Sequence, residues 1–340
     1  MNQNMPKVYV IAEAGVNHNG SLEIALKLVQ AAKASGADAV KFQTFRADLL
    51  ATASAHKAAY QERTTSATET QFQMLQRLEL SPEAHRLIIE ECRRVGIQFL
   101  SSPFDIESAD LLEQLNVPVY KIPSGEITNL PYIRHIAQKG KPVILSTGMS
   151  TLGEVEEALT SFREFGASDI TLLHCVTEYP APFKEINLRA MQTMRTAFGL
   201  PVGYSDHSPG TEIALAAVAL GATVIEKHFT LDRTLPGPDH AASLEPSELR
   251  QMITSIRHVE AALGDGIKMP AKCEIANISV ARKSLVASRP LSAGHRLKVE
   301  DLAIKRPGTG ILPRQQQDLV GRVLCCDVQK DELLRWDHLA

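Results

Sequence analysis

Charged and imidazole side chains follow directly on an apolar stretch in TVIEKHFTLDRTLPGPDH, residues 223–240. The stretch begins like a buried strand and continues into Glu226, Lys227 and His228 without a turn signal. Burying unpaired charge costs several kcal/mol, so these groups must meet partners from elsewhere in the chain. Because side chains alternate along a strand, we expect Glu226 and His228 to share one face and Lys227 to point to the other.

A second histidine ends the preceding apolar stretch, PVGYSDH, where His207 shares a strand face with Ser205. Two neutral imidazoles leave coordination positions open for water and substrate, and imidazole suits Mn, Fe, Zn or Co. The alternative is that each imidazole hydrogen-bonds to a nearby carboxylate, with Glu226 and Asp206 as candidates. The residues alone leave both interpretations open and do not identify a metal.

Two lysines also end apolar stretches, Lys41 in KFQTF and Lys121 in KIPSGE. They are able to hold a phosphate or carboxylate, to form a Schiff base with a carbonyl, or to pair with Glu13 and Glu226. Ser124 lies in the turn after Lys121 and favours the anion pocket. We therefore expect an enzyme that acts on an anionic substrate with the help of a metal.

Eight short β-branched stretches that can position these residues alternate with amphipathic segments between about residue 8 and residue 263. They are VYVIAEAG, AVKFQTF, FLSSPF, VYKIPSG, VILSTGM, ITLLHCV, PVGYSDH and TVIEKHF. This α/β pattern predicts a (β/α)8 TIM barrel, which typically takes ~250 residues and carries its chemistry at the C-terminal ends of the strands. A doubly wound open sheet is the alternative, because counting strands does not show closure.

Helix signals lie between these stretches. Ser81 and Pro82 supply an N-cap and a first-turn proline, and Thr151 with Glu154 forms a capping box. Apolar residues recur at helical spacing along residues 249–263.

Composition excludes several classes of protein. The chain has 340 residues, 44% of them apolar and 22% charged, with a net charge of −3. This weak acidity argues against a nucleic-acid partner. No apolar run approaches the ~20 residues needed to cross a bilayer, and the first residues lack the apolar region of a signal peptide. Five cysteines without CxxC spacing fit reduced thiols, so we expect a cytoplasmic protein without membrane association.

The pattern changes after the last helical segment to short strands and turns. We predict a catalytic barrel over residues 1–265, a linker over 266–281 and a small, mainly β domain over 282–340. Within the barrel, residues 46–80 are too long for an ordinary loop, and we expect a loop-plus-helix insertion over the mouth. We expect Trp336, the only tryptophan, to lie in the core of the tail, and Cys325 and Cys326 to be packing residues.

Several motifs together resemble the N-acetylneuraminate (sialic acid) synthase family, and they run in order through almost the whole chain. They are AEAGVNHNG, KFQTF, KIPSGEITNLPY, ILSTGM, HCVTEYPAP, GYSDHS, EKHFTLDRTLPGPDH, ARKSLVA and IKRPGTG. The resemblance implies a (β/α)8 barrel followed by an antifreeze-like (SAF) domain. It also implies condensation of phosphoenolpyruvate with an N-acetylated hexosamine aldehyde, which releases phosphate.

The resemblance implies that His207 and His228 bind a divalent metal, usually Mn²⁺ with Mg²⁺ or Co²⁺ as alternatives, which polarises the sugar aldehyde. It assigns the phosphate and carboxylate of phosphoenolpyruvate to Lys41, Ser102, Lys121, Ser124, Ser146 and Ser205. Relatives often carry Thr at position 102, and Ser102 retains the hydroxyl.

Further residues are implied to contact the sugar. Glu13 and Glu226 would position groups or transfer protons, together with the lysines, and Gln43 and Tyr179 would line the sugar pocket. Thr177 stands where some relatives have Asn, so its sugar contact does not follow from the motif alone.

The resemblance also implies a domain-swapped homodimer in which the tail covers the partner's active site. Arg306 of KRPGTG would then reach the sugar's N-acetyl group. An arginine in a Pro/Gly-rich loop is otherwise a solvated surface charge.

The sequence ranks N-acetylmannosamine first as acceptor, which would give N-acetylneuraminate. A 6-deoxy-2,4-diacetamido hexose, which would give legionaminic or pseudaminic acid, is the alternative. From other classes, a Schiff-base aldolase or lyase using Lys41 or Lys121, or a non-catalytic protein with a ligand-binding tail, stays open.

Overall fold

The eight apolar stretches form one sheet of parallel strands. The computed structural model describes residues 7–65 and 68–340. Its strands in this sheet are β1 (Tyr9–Gly15), β2 (Ala39–Thr44), β3 (Gln98–Pro103), β4 (Tyr120–Ile122), β5 (Val143–Ser146), β6 (Ile170–His174), β7 (Val202–Asp206) and β8 (Val224–His228).

The strand order closes the sheet on itself. It runs β3-β2-β1-β8-β7-β6-β5-β4, with parallel pairing between each pair of neighbours. The two end strands, β3 and β4, also lie against each other. The fold is therefore the predicted (β/α)8 barrel, and the doubly wound alternative is wrong.

Helices cover the outside of the barrel and begin at the predicted signals. Ser81 Oγ accepts a hydrogen bond from the Ala84 amide, and Thr151 and Glu154 cap each other. The helices of this part are α1 (Leu22–Ser35), α2 (Ala47–Leu50), α3 (Ala59–Thr64), α4 (Gln71–Leu78), α5 (Pro82–Val95), α6 (Ile106–Gln114), α7 (Leu130–Ala137), α8 (Leu152–Glu164), α9 (Ala190–Phe198), α10 (Glu212–Ala219) and α11 (Pro246–Leu263). In α11 the predicted apolar face is buried at Leu249, Met252, Ile253 and Ile256.

A plug of apolar side chains fills the barrel interior below its polar end. Its six buried members come from six different strands and are Ile11, Ala39, Leu100, Ile144, Leu173 and Val224. Because side chains alternate along a strand, the residue two positions after each member faces the same interior, nearer the C-terminal end. The plug therefore closes the barrel interior directly below the polar side chains at the C-terminal ends of the strands.

Gly203 lets β7 approach this plug closely. A Cβ at that position would lie 2.4 Å from the Val224 carbonyl oxygen and 2.7 Å from Leu173 Cδ2. No side chain fits there, so the interior position before Ser205 is occupied by backbone alone.

The second compact unit spans Gly266–Ala340, after a first unit of Met1–Asp265. It contains α12 (Ile275–Ala281), within the predicted linker, and then β9 (Ser284–Ala287), β10 (Leu302–Lys305) and α13 (Gln316–Leu319). β9 and β10 pair in antiparallel fashion. Its core is aliphatic and consists of Leu285, Ala287, Leu291, Leu297, Leu302, Ile311, Leu319, Leu324, Val328 and Leu334.

Two expectations for this unit are wrong in detail. Trp336 is 47% exposed, because the small core is already filled by aliphatic side chains. Cys326 packs against that core but Cys325 is exposed, so only one of the pair is a packing residue.

Asp301 is predicted to make the second unit sensitive to acid. Its side chain is buried, accepts hydrogen bonds from Arg289, His295 and the Lys298 amide, and has its pKa lowered to about 2 by these partners, which outweigh the opposing effect of burial. A lowered folded-state pKa contributes stability above the unfolded value, near 4, that is lost as the pH falls from about 4 to 2. We expect a loss of about 1–2 kcal/mol over that range.

The fluorescence of Trp336, which lies in this unit, measures the change in the full chain. Urea unfolding at pH 5 and pH 3 should show the loss in the wild type, and Asp301→Asn should remove most of the difference. Asp318→Asn, at an exposed position of α13, is the control and should retain it. A wild-type midpoint that does not move between the two pH values would contradict the prediction.

Candidate active site

The C-terminal ends of all eight strands open into one cavity of about 430 Å³. Every barrel residue that the sequence analysis singled out as a site residue lines it. These residues are Glu13, Lys41, Gln43, Ser102, Lys121, Ser124, Ser146, Thr177, Tyr179, Ser205, His207, Glu226 and His228. The strands bring together side chains that are more than two hundred positions apart in the sequence.

The two lysines are paired with the two glutamates inside the cavity. Lys41 Nζ lies 2.7 Å from Glu13 Oε2 and 3.7 Å from Glu226 Oε2. Lys121 Nζ lies 3.4 Å from Glu226 Oε1, and all four side chains are buried. The salt bridges considered from the sequence therefore exist, and they hold both ammonium groups at the base of the cavity.

Hydroxyl groups complete the surroundings of each lysine. Lys41 donates a hydrogen bond of 3.0 Å to Ser102 Oγ, and Lys121 donates one of 2.8 Å to Ser146 Oγ. An ammonium group beside hydroxyl donors is suited to phosphate and carboxylate oxygens. An anion that binds here would compete with Glu13 and Glu226 for the two ammonium groups.

The two glutamates differ in acidity. Burial raises the pKa of Glu13, and Lys41 offsets only part of that effect. Burial acts on Glu226 too, but Lys121, Lys41 and a 2.8 Å hydrogen bond from Ser205 together hold its pKa below the ordinary value. Glu13 is therefore the more easily protonated of the two, and Glu226 stays ionised. Environments that separate two carboxyl pKa values in this way are typical of acid–base sites.

His207 and His228 face each other, with ring centroids 5.4 Å apart. Burial lowers the pKa of His207 to about 4 and that of His228 well below its ordinary value, so both rings are neutral at pH 7. His207 Nδ1 lies 2.6 Å from the Val176 carbonyl oxygen. A carbonyl only accepts hydrogen bonds, so Nδ1 carries the proton and the Nε2 lone pair is available to a ligand.

These two rings fit a divalent metal ion. Both are neutral, as ligation requires, and the buried Nδ1 of His228 makes no hydrogen bond. Among the residues that the structure describes, no group of three or more His, Cys, Asp or Glu residues is arranged to hold a metal. A metal here would therefore have two imidazole ligands, with oxygen ligands from water or substrate.

Asp206 does not belong to the histidine site, so the alternative in which it accepts a hydrogen bond from one of the imidazoles is wrong. It lies between Ser205 and His207 on β7, so its side chain points to the other face of the barrel wall and pairs with Lys227 at 2.9 Å. Lys227 points away from the cavity, as predicted. The carboxylate beside His228 is instead Asp239, whose Oδ2 lies 3.9 Å from Nδ1.

Asp239 and Cys175 line the cavity but were missed in the sequence. Burial raises the pKa of Asp239 to about 6. It follows β8 by eleven positions in an irregular loop, where strand periodicity gives no signal. Cys175 Sγ lies 3.1 Å from Ser124 Oγ, and it stands two positions after the plug residue Leu173, a signal that could have found it.

The remaining sugar-site candidates lie around the histidines and glutamates. The Tyr179 ring is 4.2 Å from that of His207, and Gln43 Nε2 donates a 3.4 Å hydrogen bond to Glu13. Arg306 lies in the second unit, where it is exposed and its Nε donates to the Ala281 carbonyl. The structure thus gathers the barrel candidates in one cavity.

The 46–80 segment contributes one wall of the cavity, as expected for an insertion over the mouth. Its lining residues come from α2, α3 and α4 and are Leu50, Gln61, Gln71, Met74, Leu75 and Leu78.

In the described part of the chain no helix combines the length and apolar character of a transmembrane span.

Comparison with protein families matches residues 28–268 to the NeuB family and residues 282–340 to the SAF domain. The N,N'-diacetyllegionaminic acid synthase of Campylobacter jejuni is 53% identical over 333 residues, which cover 97% of this chain and 100% of that protein. The N,N'-diacetyllegionaminic acid synthase of Legionella pneumophila is 47% identical over 97% of this chain and 94% of its own length.

A solved structure of similar fold is the N-acetylneuraminic acid (sialic acid) synthetase of Leptospira borgpetersenii in complex with citrate. It is 36% identical, with a TM-score of 0.71 over 81% of this chain and 91% of that one. Both the family and the fold expected from the motifs are therefore confirmed.

Proposed function

This chain belongs to the NeuB family, and from that premise we propose that it condenses phosphoenolpyruvate with the open-chain aldehyde of an acylated amino sugar. The second product is inorganic phosphate, and the first is a nine-carbon 2-keto acid. The observation that carries the proposal is the cavity itself, where paired lysines, two neutral histidines and two glutamates of different acidity meet.

The acceptor proposed is a 6-deoxy-2,4-diacetamido hexose, and the product N,N'-diacetyllegionaminate. The sequence ranked N-acetylmannosamine first. The similarity favours the alternative, since relatives named for diacetyllegionaminic acid are 53% and 47% identical, against 36% for the sialic acid synthetase structure.

Lys41 and Lys121 would hold the phosphate and carboxylate of phosphoenolpyruvate. Both are fixed at the cavity base by hydroxyl groups and glutamates, so their ammonium groups are already in place when the anion binds. The hydroxyls of Ser124 and Ser205 would complete the set. Binding replaces lysine–glutamate contacts with lysine–substrate contacts, which frees the glutamates to face the reacting atoms.

His207 and His228 would hold a divalent metal, which when bound supplies Lewis-acid polarisation of the aldehyde oxygen. Tyr179, packed against the His207 ring, would help to orient the sugar. Glu13, the carboxyl with the raised pKa, would donate a proton to the aldehyde oxygen as the new bond forms.

The reaction balances without a covalent enzyme intermediate. C3 of phosphoenolpyruvate bonds to the aldehyde carbon, and the aldehyde oxygen gains a proton. Ionised Glu226 stabilises the positive charge that develops at C2. Water then adds at C2 and gives up a proton to the Glu13 carboxylate, which restores its acid form. The tetrahedral phosphate hemiketal then breaks its C2–O bond to phosphate, and the hydroxyl proton leaves with it.

A phosphate-release assay tests this proposal. Phosphoenolpyruvate should release phosphate only with an acylated amino sugar and Mn²⁺, and faster with the 2,4-diacetamido-2,4,6-trideoxy sugar than with N-acetylmannosamine. Burial lowers the pKa of Lys121. A lysine that forms a Schiff base reacts as the neutral amine, so a lowered pKa would favour that reaction. Borohydride trapping of substrate on Lys121, with activity retained in chelator, would therefore replace the proposal with an aldolase or lyase.

The Arg306 guanidinium is predicted to serve the sugar rather than phosphoenolpyruvate. In a domain-swapped homodimer, the arrangement we propose, Arg306 of one subunit would hydrogen-bond to the acetamido oxygen in its partner's site. A charged hydrogen bond of this kind contributes about 1.5–3 kcal/mol, so Arg306→Ala should raise the KM for the sugar roughly 10- to 100-fold.

The KM for phosphoenolpyruvate should stay within about twofold, and Arg314→Ala, an exposed arginine of the same unit, should change neither constant. Steady-state kinetics with each substrate varied in turn gives both values. A larger effect on phosphoenolpyruvate than on the sugar would mean that the tail does not meet the sugar.

A further inference from the structure

One wall of the active-site cavity is mostly apolar, with Gln61 and Gln71 as its polar members, whereas the strand ends that line the rest of the cavity carry charged or hydroxyl groups. The apolar wall consists of residues from the 46–80 segment and from the loops after β1 and β3. Its members are Val16, Leu50, Met74, Leu75, Leu78 and Phe104.

The wall is a packed unit rather than a set of separate side chains. Val16, Met74 and Leu78 are buried in one cluster with Phe45. Leu50 and Leu75 pack against this cluster but stay partly exposed while lining the cavity. These two leucines therefore present apolar surface to whatever occupies the cavity.

An apolar wall discriminates between acceptor sugars. A hydroxyl placed against it gives up its hydrogen bonds to water without replacement, whereas a methyl group gains by leaving water. N-acetylmannosamine carries hydroxyl groups at C4 and C6, so its C6 is a hydroxymethyl group. The 6-deoxy-2,4-diacetamido sugar carries a second acetamido group at C4, and its C6 is a methyl group.

A carboxamide on the same wall matches the second acetamido group. Gln71, at the start of α4, lines the cavity beside the leucines of the segment. A primary amide both donates and accepts, which is the complement of an acetamido N–H and C=O.

We propose that Leu50, Leu75 and Gln71 form the subsite for the C4–C6 end of the acceptor and select a 6-deoxy-2,4-diacetamido hexose over N-acetylmannosamine. The inference rests on the proposed function and adds to it the residues that choose the substrate. The barrel residues do the chemistry common to the family, and the inserted segment decides which sugar receives it.

The test is the ratio of kcat/KM for the two acceptors at saturating phosphoenolpyruvate and Mn²⁺. Leu50→Asn and Leu75→Asn should each lower kcat/KM for the diacetamido sugar roughly tenfold and change the value for N-acetylmannosamine less than about twofold. Gln71→Leu should act in the same direction and does not open a gap in the packed cluster. The KM for phosphoenolpyruvate should be unchanged in all three.

Leu49→Asn is the matched control. Leu49 is adjacent to Leu50 on α2 but is 46% exposed and does not line the cavity, so its ratio should equal that of the wild type. Thermal unfolding of each variant shows whether the segment has kept its packing. If Leu50→Asn and Leu75→Asn unfold, the kcat/KM ratio of Gln71→Leu for the two acceptors tests the subsite by itself.

The outcomes separate the two proposals. A wild type that releases no phosphate with either sugar contradicts the proposed function. A wild type that prefers the diacetamido sugar, with Leu50, Leu75 and Gln71 variants that keep its ratio, contradicts only the subsite. A wild type that prefers N-acetylmannosamine overturns both the acceptor proposed above and the selectivity assigned to the wall, but leaves the condensation reaction itself standing.

Discussion

His207→Ala and His228→Ala are each expected to lose about 10³-fold in kcat while the barrel stays folded. The reason is that each change removes one of two imidazoles at the cavity mouth, and a divalent ion would keep a single protein ligand. Polarisation of a carbonyl by a metal contributes several kcal/mol to a transition state, and each 1.36 kcal/mol changes the rate about tenfold. Folding should survive, because the rings stand at the open end of the barrel rather than in its plug.

Metal content gives a readout that does not depend on activity. We expect the wild type to bind one Mn²⁺ per subunit by titration calorimetry and each variant to bind it at least about tenfold more weakly. His258→Ala, at an exposed position of α11, should change neither binding nor kcat. Full activity in either cavity variant after complete removal of metal would show that the histidines do not serve this purpose.

The strand periodicity predicted most of the site, because the barrel converts sequence spacing into position. Glu13, Lys41, Ser102 and Glu226 each stand two positions after a member of the interior plug, and all four line the cavity. A side chain on an interior face near the end of a barrel strand has nowhere else to point. The same rule predicts that Cys175 lines the cavity and that Asp206 does not.

The features that could not be predicted from the sequence depend on the paths of loops and on packing between distant segments. Asp239 reaches His228 through an irregular turn whose path no local pattern determines. The apolar wall combines Leu75 of α4 with Phe104 of the loop after β3, and the two meet only in the folded chain. Trp336 is 47% exposed although the sequence analysis places it in the core of the tail, because aliphatic side chains already fill that core.

Lys227 forms the most deeply buried ion pair of the site region, behind the wall that carries the histidines. Lys227 and Asp206 have no exposed side-chain surface, and their Nζ and Oδ2 atoms are 2.9 Å apart. Lys227 also donates to the Ser208 carbonyl, and Asp206 Oδ1 accepts hydrogen bonds from the Ser208 amide and hydroxyl. The pair ties the end of β8 to the turn after β7, and so fixes the backbone on both sides of His207 and His228.

Lys227→Met is therefore expected to destabilise the chain by about 3–5 kcal/mol. The methionine fills most of the space, but it leaves the Asp206 carboxylate buried without a counter-ion, and that uncompensated charge is the cost. Asp206→Asn should also destabilise, because the ammonium group then lacks its partner. The double variant Lys227→Met with Asp206→Asn should recover part of the loss, since no buried charge remains.

Urea unfolding of the four proteins gives the double-mutant cycle directly. The control is Lys27→Met, which removes an exposed pair with Glu23 on α1, and no measurable change is expected there because water solvates the remaining carboxylate. If Lys227→Met lowered the free energy of unfolding as little as Lys27→Met does, water would have to reach the Asp206 carboxylate. In that case the rigid support inferred for the two histidines would be absent, and the geometry of the site would have to be maintained by the plug and Val176 alone.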